Sequence, residues 1–146
     1  RLVGSEMCIR DRFRIGVESM AARLAAERST EEEIRLLHES YLRAEDAVRS
    51  NDKNLFAKYD LEFHRLIAKA SGNQLFFRAA EMLEVMYTTW MVGFQRVHGI
   101  ETSFEYHKRI YKAIAAHQSQ EAYDAMKDHL EDVLRKVKLD SAAAGY

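Results

Sequence analysis

The sequence contains no proline, and this absence is the feature that most restricts its fold. Proline interrupts helices because its ring fixes φ and removes a backbone N–H donor. Long stretches of the chain are instead built from strong helix formers such as alanine, leucine, glutamate and arginine. We therefore expect an all-α protein, folded as a single antiparallel bundle of about six helices.

Length, charge and cysteine content narrow the class of protein further. A chain of 146 residues is long enough for one domain with a hydrophobic core. Its net charge of −1 shows no excess of basic residues, which a domain that binds duplex DNA normally has. The sequence has neither an apolar run long enough for a membrane span nor a secretory leader. Its one cysteine, Cys8, rules out an internal disulfide. These features predict a cytoplasmic location without membrane attachment.

Apolar spacing and capping signals divide the chain into the six expected helices. The first runs from about Phe13 to Arg28, and Ser29-Thr30 with two following glutamates offers overlapping capping boxes for the second. Asn51-Asp52 caps the third helix, and Ser71-Gly72-Asn73 ends it and caps the fourth. The fourth covers about residues 74–97, Thr102-x-x-Glu105 opens the fifth, and the sixth starts after Ser119. The fourth helix is the most apolar, which predicts a central position or a homodimer interface.

The two ends of the chain fall outside this pattern. Residues 1–12 do not continue the periodicity that follows and resemble translated adapter read-through, so we expect a non-native leader there; an ordinary frayed helix start is the alternative. Residues 13–140 form the expected domain, and residues 141–146 a frayed tail.

The stretch Asp60-Leu-Glu-Phe-His64 carries the main chemical signal. Asp60 and His64 are four residues apart, so on a helix they lie one turn apart on the same face, together with apolar Phe56 and Ile67. A carboxylate and an imidazole are thus expected on the buried side. Burying an unpaired carboxylate costs several kcal/mol, on the order given for uncompensated charge, and a metal ion is the simplest compensation.

His107 and His129 lie on or beside the inner faces of later helices and complete a candidate donor set with Asp60 and His64. Three imidazoles and one carboxylate suit a divalent transition metal such as zinc, nickel, cobalt or copper. A single histidine on an apolar face is more often a hydrogen-bonded core residue, so the pair at 60 and 64 carries the argument. The remaining histidines are expected at the surface or at helix ends: His38, His98 and His117.

Two types of metal site remain open on this donor set. A tetrahedral ion would be closed by the four side chains and only structural, whereas a higher coordination number would leave positions for a small carboxylate. Arg14 could bind the same carboxylate through its planar guanidinium. The alternative for Arg14 is an ion pair with Glu18, four residues along the first helix.

Five motifs in order resemble one family over about residues 13–139. They are Phe13-Arg14-x-x-x-Glu18, Asp60-x-x-Phe63-His64, Ala70-Ser-Gly-Asn73, His107-x-x-Ile110-x-x-Ala113-Ile114 and Ala125-Met-x-x-His129-Leu130. Together they resemble the FCD domain, the C-terminal effector-binding domain of FadR-type regulators in the GntR superfamily. Six helices rather than seven favour its VanR-like branch.

The resemblance implies a helical bundle around a metal-dependent pocket, with zinc or nickel, that binds small organic acids. It implies metal ligands at Asp60, His64, His107 and His129, a pocket-lining arginine at Arg14, and a ligand-binding role for Asn73. It also implies a homodimer, and a DNA-binding winged helix-turn-helix domain that this sequence does not encode.

We therefore expect an effector-sensing domain of a transcription regulator, not an enzyme. In this reading, metal and arginine hold a carboxylate metabolite and bias the packing of the helices around it. A metal-dependent enzyme is one alternative, weakened because no further buried acid or base is expected beside the metal. A helical interaction module with a closed structural metal site is the other.

Overall fold

The computed structural model of the chain describes residues 2–145, which form seven α-helices. The helices are α1 (Leu2–Arg28), α2 (Glu31–Arg49), α3 (Lys53–Ala70), α4 (Gln74–Tyr87), α5 (Trp90–His98), α6 (Glu101–Ala115) and α7 (Ser119–Ala143). The predicted all-α fold is confirmed. Within the described chain, no helix is both long enough and apolar enough to cross a membrane.

The two longest helices, α1 and α7, pack against each other and make the most extensive helix contact in the described chain. α6 lies against α7, while α3 contacts α1, α2 and α4. Small side chains allow α1 and α7 to approach closely, because interhelical distance depends on the residues at the contact. The fully buried alanines on these two helices are Ala21, Ala22, Ala25, Ala26, Ala122 and Ala125.

Three of the expected capping signals are confirmed. Thr30 and Glu33 form a reciprocal capping box at the start of α2. The Asp52 carboxylate accepts the Leu55 N–H at 2.9 Å at the start of α3. Gly72 adopts the left-handed conformation, φ 71°, that ends α3 before Asn73 caps α4. These local bonds satisfy backbone donors that the helix itself leaves unpaired.

The predicted continuous fourth helix is wrong, because the chain breaks at Thr88 and Thr89 into α4 and α5. Both residues are β-branched and lower helix propensity. The Thr88 hydroxyl also donates to the carbonyl of Glu84 at 2.6 Å, a local bond that bends helices. The described residues therefore form seven helices instead of six, so the number of helices does not favour the VanR-like branch.

Two other helix starts differ from the expectations. The predicted capping box at Thr102 is wrong: α6 begins at Glu101, whose carboxylate accepts the Ile100 N–H at 3.2 Å. Ile100 is fully buried, so burial of this side chain fixes where the helix begins. α1 continues through most of the expected leader, and Arg10 and Asp11 are buried there.

Candidate metal centre

The four expected metal ligands meet inside the bundle. Asp60 and His64 come from α3, His107 from α6 and His129 from α7, and all four are buried. Each is planted on the inner face of its helix by the apolar spacing that directs that face to the core. The structure thus brings together groups that are up to 69 positions apart in the sequence.

The distances within this cluster are those of atoms that could share one ion. Asp60 Oδ1 lies 3.2 Å from His64 Nε2 and 3.3 Å from His107 Nε2, and the two Nε2 atoms are 3.3 Å apart. Atoms bound about 2.1 Å from one metal at adjacent positions lie about 3.0–3.4 Å apart. His129 joins through the other histidines, since ligand atoms of the three imidazoles all lie within 4.8 Å of one another.

One oxygen of Asp60 is left without a hydrogen bond in this cluster. Among the described residues, no donor makes a hydrogen bond of good geometry to Asp60 Oδ1, although this atom is buried. A buried acceptor that stays unsatisfied costs about 1–3 kcal/mol. A cation between Asp60 Oδ1 and the histidine nitrogens would offset that cost, so the residues fit a divalent transition metal.

Neighbouring side chains fix the orientation of the imidazoles. His64 Nδ1 donates to Glu18 Oε1 at 2.5 Å, which leaves Nε2 facing Asp60 and His107. The ring of His107 stacks on Phe63, with centroids 4.6 Å apart. A carboxylate behind a histidine is the usual arrangement for a metal ligand, because it sets the tautomer and holds the ring.

The electrostatics of the cluster favour the ligand-competent forms of Asp60, His107 and His129, but not the neutral form of His64. Burial alone would raise the pKa of Asp60, but the nearby imidazoles of His107 and His64 hold it well below its usual range. Burial lowers the pKa of His107 and, with repulsion from the other imidazoles, that of His129. Burial opposes the charged form of His64 as well, but the charge of Glu18 raises its pKa overall. Ionised aspartate and neutral imidazoles are the forms that bind metals.

Arg14 and Glu18 form a buried ion pair beside the cluster, as the alternative interpretation of Arg14 predicted. Burial would raise the pKa of Glu18, but the Arg14 guanidinium and His64 lower it to about 2. Glu18 therefore bridges Arg14 and His64 with one oxygen each. This role was missed in the sequence, because a local i,i+4 pair gives no signal of its contact with another helix.

Two small cavities flank the cluster, and Arg14 lines both. One, of about 20 Å³, is also lined by Glu18, His64 and Tyr87. The other, of about 10 Å³, is also lined by Asp60 and His129. Each has room for about one water molecule, so a carboxylate ligand requires the helices to move apart.

Gln95 is a second residue that the sequence analysis missed. It is fully buried on α5, and its Nε2 donates to Asp60 Oδ2 at 3.0 Å. The signal was a polar residue four positions after Met91, on the apolar stripe of its helix.

The structure does not bring Asn73 to the cluster. Its side chain accepts the N–H groups of Leu75 and Phe76, at 2.9 and 3.2 Å, and so caps α4. Asn73 follows His64 by nine residues, and at 1.5 Å per helical residue that separation exceeds roughly 10 Å. The structure shows Asn73 as the cap of α4, and the ligand-binding role expected for it stays a prediction.

The three remaining histidines lie away from the cluster, as expected. His38 is exposed and stacks on Tyr111. His98 ends α5 and contacts Asp140 at 2.9 Å, and His117 contacts the carbonyl of Ala26 at 2.9 Å just after α6.

Fold and site together define an all-helical regulatory domain with a buried histidine–aspartate centre. The model of the FCD domain matches residues 12–132, and the chain belongs to this family, the regulatory domain of GntR-type transcription regulators. This membership identifies the chain as a regulatory domain and not as an enzyme.

Relatives and solved structures agree with this membership. The transcriptional repressors NanR of Edwardsiella tarda (strain FL6-60) and of Escherichia coli (strain K12) are 29% and 31% identical over 131 residues, 84% of this chain. The chain spans about half of these relatives, 48% and 47% of their lengths.

Two solved structures share the architecture. Streptococcus agalactiae GntR is 32% identical with a TM-score of 0.71, covering 88% of this chain and 57% of its own. E. coli McbR/YncC has a TM-score of 0.80 at 16% identity, covering 93% and 69%, and shows the fold alone.

Proposed function

We propose that this domain senses a small organic acid at a metal centre and thereby controls a transcription regulator. The ligands would be Asp60, His64, His107 and His129, and the ion a divalent transition metal, zinc in the first place and nickel in the second. The observation that carries the proposal is a buried cluster of three histidines, two of which lie beside an aspartate oxygen that lacks a hydrogen bond.

The charges around the centre support an anionic effector. Glu18 and Arg14 cancel each other, so a divalent ion with the Asp60 carboxylate leaves a net positive centre. When bound, the ion supplies a positive site that accepts a carboxylate oxygen. Glu18 engages Nε of Arg14, which leaves the terminal nitrogens of the guanidinium to meet the same carboxylate.

The test is a thermal-shift screen of small carboxylates on metal-stripped protein and on protein loaded with Zn²⁺ or Ni²⁺, after elemental analysis of protein purified without chelator. A ligand at 100 times its Kd stabilises the folded state by about 2.7 kcal/mol. We expect an active acid to raise Tm only in the metal-loaded protein.

His64→Ala should abolish this response, while His38→Ala, which changes an exposed histidine, should keep it. An acid that raises Tm equally without metal would place its binding site elsewhere.

A closed structural metal site is the second candidate, and the water-sized cavities beside the cluster favour it. In that case the metal would raise Tm, but none of the acids would raise it further. The two candidates therefore give different outcomes in the same screen.

We also propose that the domain forms a homodimer through α4 and α5. These helices carry a group of exposed apolar side chains: Leu75, Met82, Val85, Met86 and Val97. Val85 is 78% exposed, and an apolar patch of this kind marks an interaction surface.

Sedimentation velocity tests this interface. We expect Val85→Asp to produce monomers, while Leu139→Asp, at an exposed apolar position on α7, should leave the dimer intact. Dissociation by both variants, or by neither, would contradict an interface at α4 and α5.

In the parent protein, a DNA-binding winged helix-turn-helix domain would precede this domain, and dimerisation would pair two copies of it. DNA contact would belong to that domain alone, and the regulator would act in the cytoplasm. The length of the relatives, about twice the aligned part, supports such an arrangement.

A further inference from the structure

Among the residues that the structure describes, Gln95 carries the one amide side chain buried against the candidate metal ligands. It belongs to α5, whereas the ligands belong to α3, α6 and α7. Gln95 is fully buried, so its contacts are made with protein groups and not with bulk water.

The orientation of this amide is determined by its partner. A carboxylate can only accept hydrogen bonds, so the NH₂ group of Gln95 must face Asp60 and the carbonyl must face away. The observed bond, from Nε2 to Asp60 Oδ2 at 3.0 Å, has this orientation.

The two oxygens of Asp60 therefore have separate roles. Oδ2 is engaged by Gln95, and Oδ1 faces His64 Nε2 and His107 Nε2 at 3.2 and 3.3 Å. An amide that occupies one oxygen leaves the other as the free donor atom.

We propose that Gln95 is a positioning residue that presents Asp60 as a single-oxygen metal ligand and thereby links α5 to the occupancy of the centre. This inference rests on the proposed metal function. Gln95 on α5 donates a hydrogen bond to Asp60 on α3. An ion that held Asp60 in place would therefore also restrain α5 through this bond. α5 is short and follows the break at Thr88 and Thr89, and this hydrogen bond connects it to the centre.

The experiment compares wild-type protein with Gln95→Met, which keeps the length of the side chain and removes both polar atoms. Gln118→Met is the matched control, since it makes the same change at an exposed position before α7. Co²⁺ is the probe: its affinity is measured by competition with a chelator, and its visible absorption reports the coordination.

We expect Gln95→Met to weaken Co²⁺ binding by about 10–100-fold, the usual effect of removing a partner of a metal ligand, and to change the absorption bands. Gln118→Met should match the wild type in both. If Gln95→Met does not fold, Gln95→Asn, which withdraws the amide by one methylene, takes its place in the same measurements.

Hydrogen–deuterium exchange supplies a readout that packing alone would not change. Co²⁺ should slow exchange in residues 90–98 of the wild type and should not do so in Gln95→Met. Equal Co²⁺ affinity, bands and exchange in the two proteins would overturn the role of Gln95 and leave the metal function standing. A wild type that binds no Co²⁺ would overturn both.

Discussion

Replacing Glu18 with glutamine should remove the charge that joins Arg14 to His64 and destabilise the metal-free domain. The pKa of Glu18 falls from the ordinary 4.5 to about 2 in the folded state. A difference of about 2.5 pKa units, at 1.36 kcal/mol each, corresponds to a contribution of about 3 kcal/mol to the free energy of unfolding. This figure already includes the attraction between Glu18 and the buried Arg14 guanidinium, which the variant leaves without its counter-ion.

The pH dependence of this loss follows from the direction of the shift. Because the folded-state pKa is depressed, the contribution of Glu18 is complete above about pH 4.5 and disappears as the pH falls toward 2. The measurement is urea unfolding with a chelator present, for wild type and Glu18→Gln, at about pH 7, 5 and 3.5. We expect a gap of about 3 kcal/mol at the first two pH values and a smaller gap at the third.

Glu32 provides the control for this experiment. It forms an ion pair with Arg35, three residues along α2, but it is fully exposed to solvent. Glu32→Gln should therefore cause no measurable loss, because solvent screens exposed pairs. If wild type and Glu18→Gln have the same free energy of unfolding at neutral pH, or differ equally at every pH, the Glu18 carboxylate does not stabilise the domain through its charge.

Three further predictions concern the scaffold. Asn73→Ala should lower the free energy of unfolding by about 1 kcal/mol through loss of the α4 cap, and should leave any metal-dependent thermal shift unchanged; a lost shift would restore its ligand-binding role. Ala22→Leu should cost about 1–3 kcal/mol in urea unfolding because this fully buried position on α1 has no room for a larger side chain. Gly16→Ala should raise stability by about 0.5–1 kcal/mol, because an added methyl group there meets no atom within 4 Å; a loss of stability would reveal a contact that the structure does not contain.

Local signals in the sequence predicted most of the fold. Capping residues such as Thr30, Asp52 and Asn73 act within a few residues of their partners, so their spacing is enough to locate the helix starts. The break at Thr88 and Thr89 was not predicted, because the apolar pattern continues across it while two weak helix formers interrupt the backbone. The start of α6 was not predicted because burial of Ile100 decided it, and burial depends on the other helices.

The candidate site divides in the same way. Asp60 and His64 could be predicted because both lie on one helix, where their spacing defines a shared face. Glu18 and Gln95 could not, because their partners lie on other helices and their contacts depend on how α1 and α5 pack against α3. The metal itself stays a prediction, supported by the distances and by the unpaired oxygen of Asp60.

The water-sized cavities imply that an acid enters only when part of the bundle moves, and the packing indicates which part. α1 and α7 make the most extensive helix contact in the described chain, with buried alanines at the end of α1 and the start of α7, so separating them would expose a large part of the core. At the larger cavity, the ion pair between Arg65 of α3 and Glu84 of α4, 3.7 Å apart and 38% exposed each, contributes little to stability. The apolar contact between these helices is a small cluster around Leu83 and Tyr87, separate from the main core. α4 and α5 also meet at a break and carry exposed apolar side chains.

We therefore expect backbone amides of α4 and α5 to exchange with deuterium faster than those of α1 and α7, and to slow when metal and an active acid are both present. Slow exchange throughout α4 and α5 in the ligand-free monomer, as produced by Val85→Asp, would contradict this route, because an opening that admits the acid must also expose these amides.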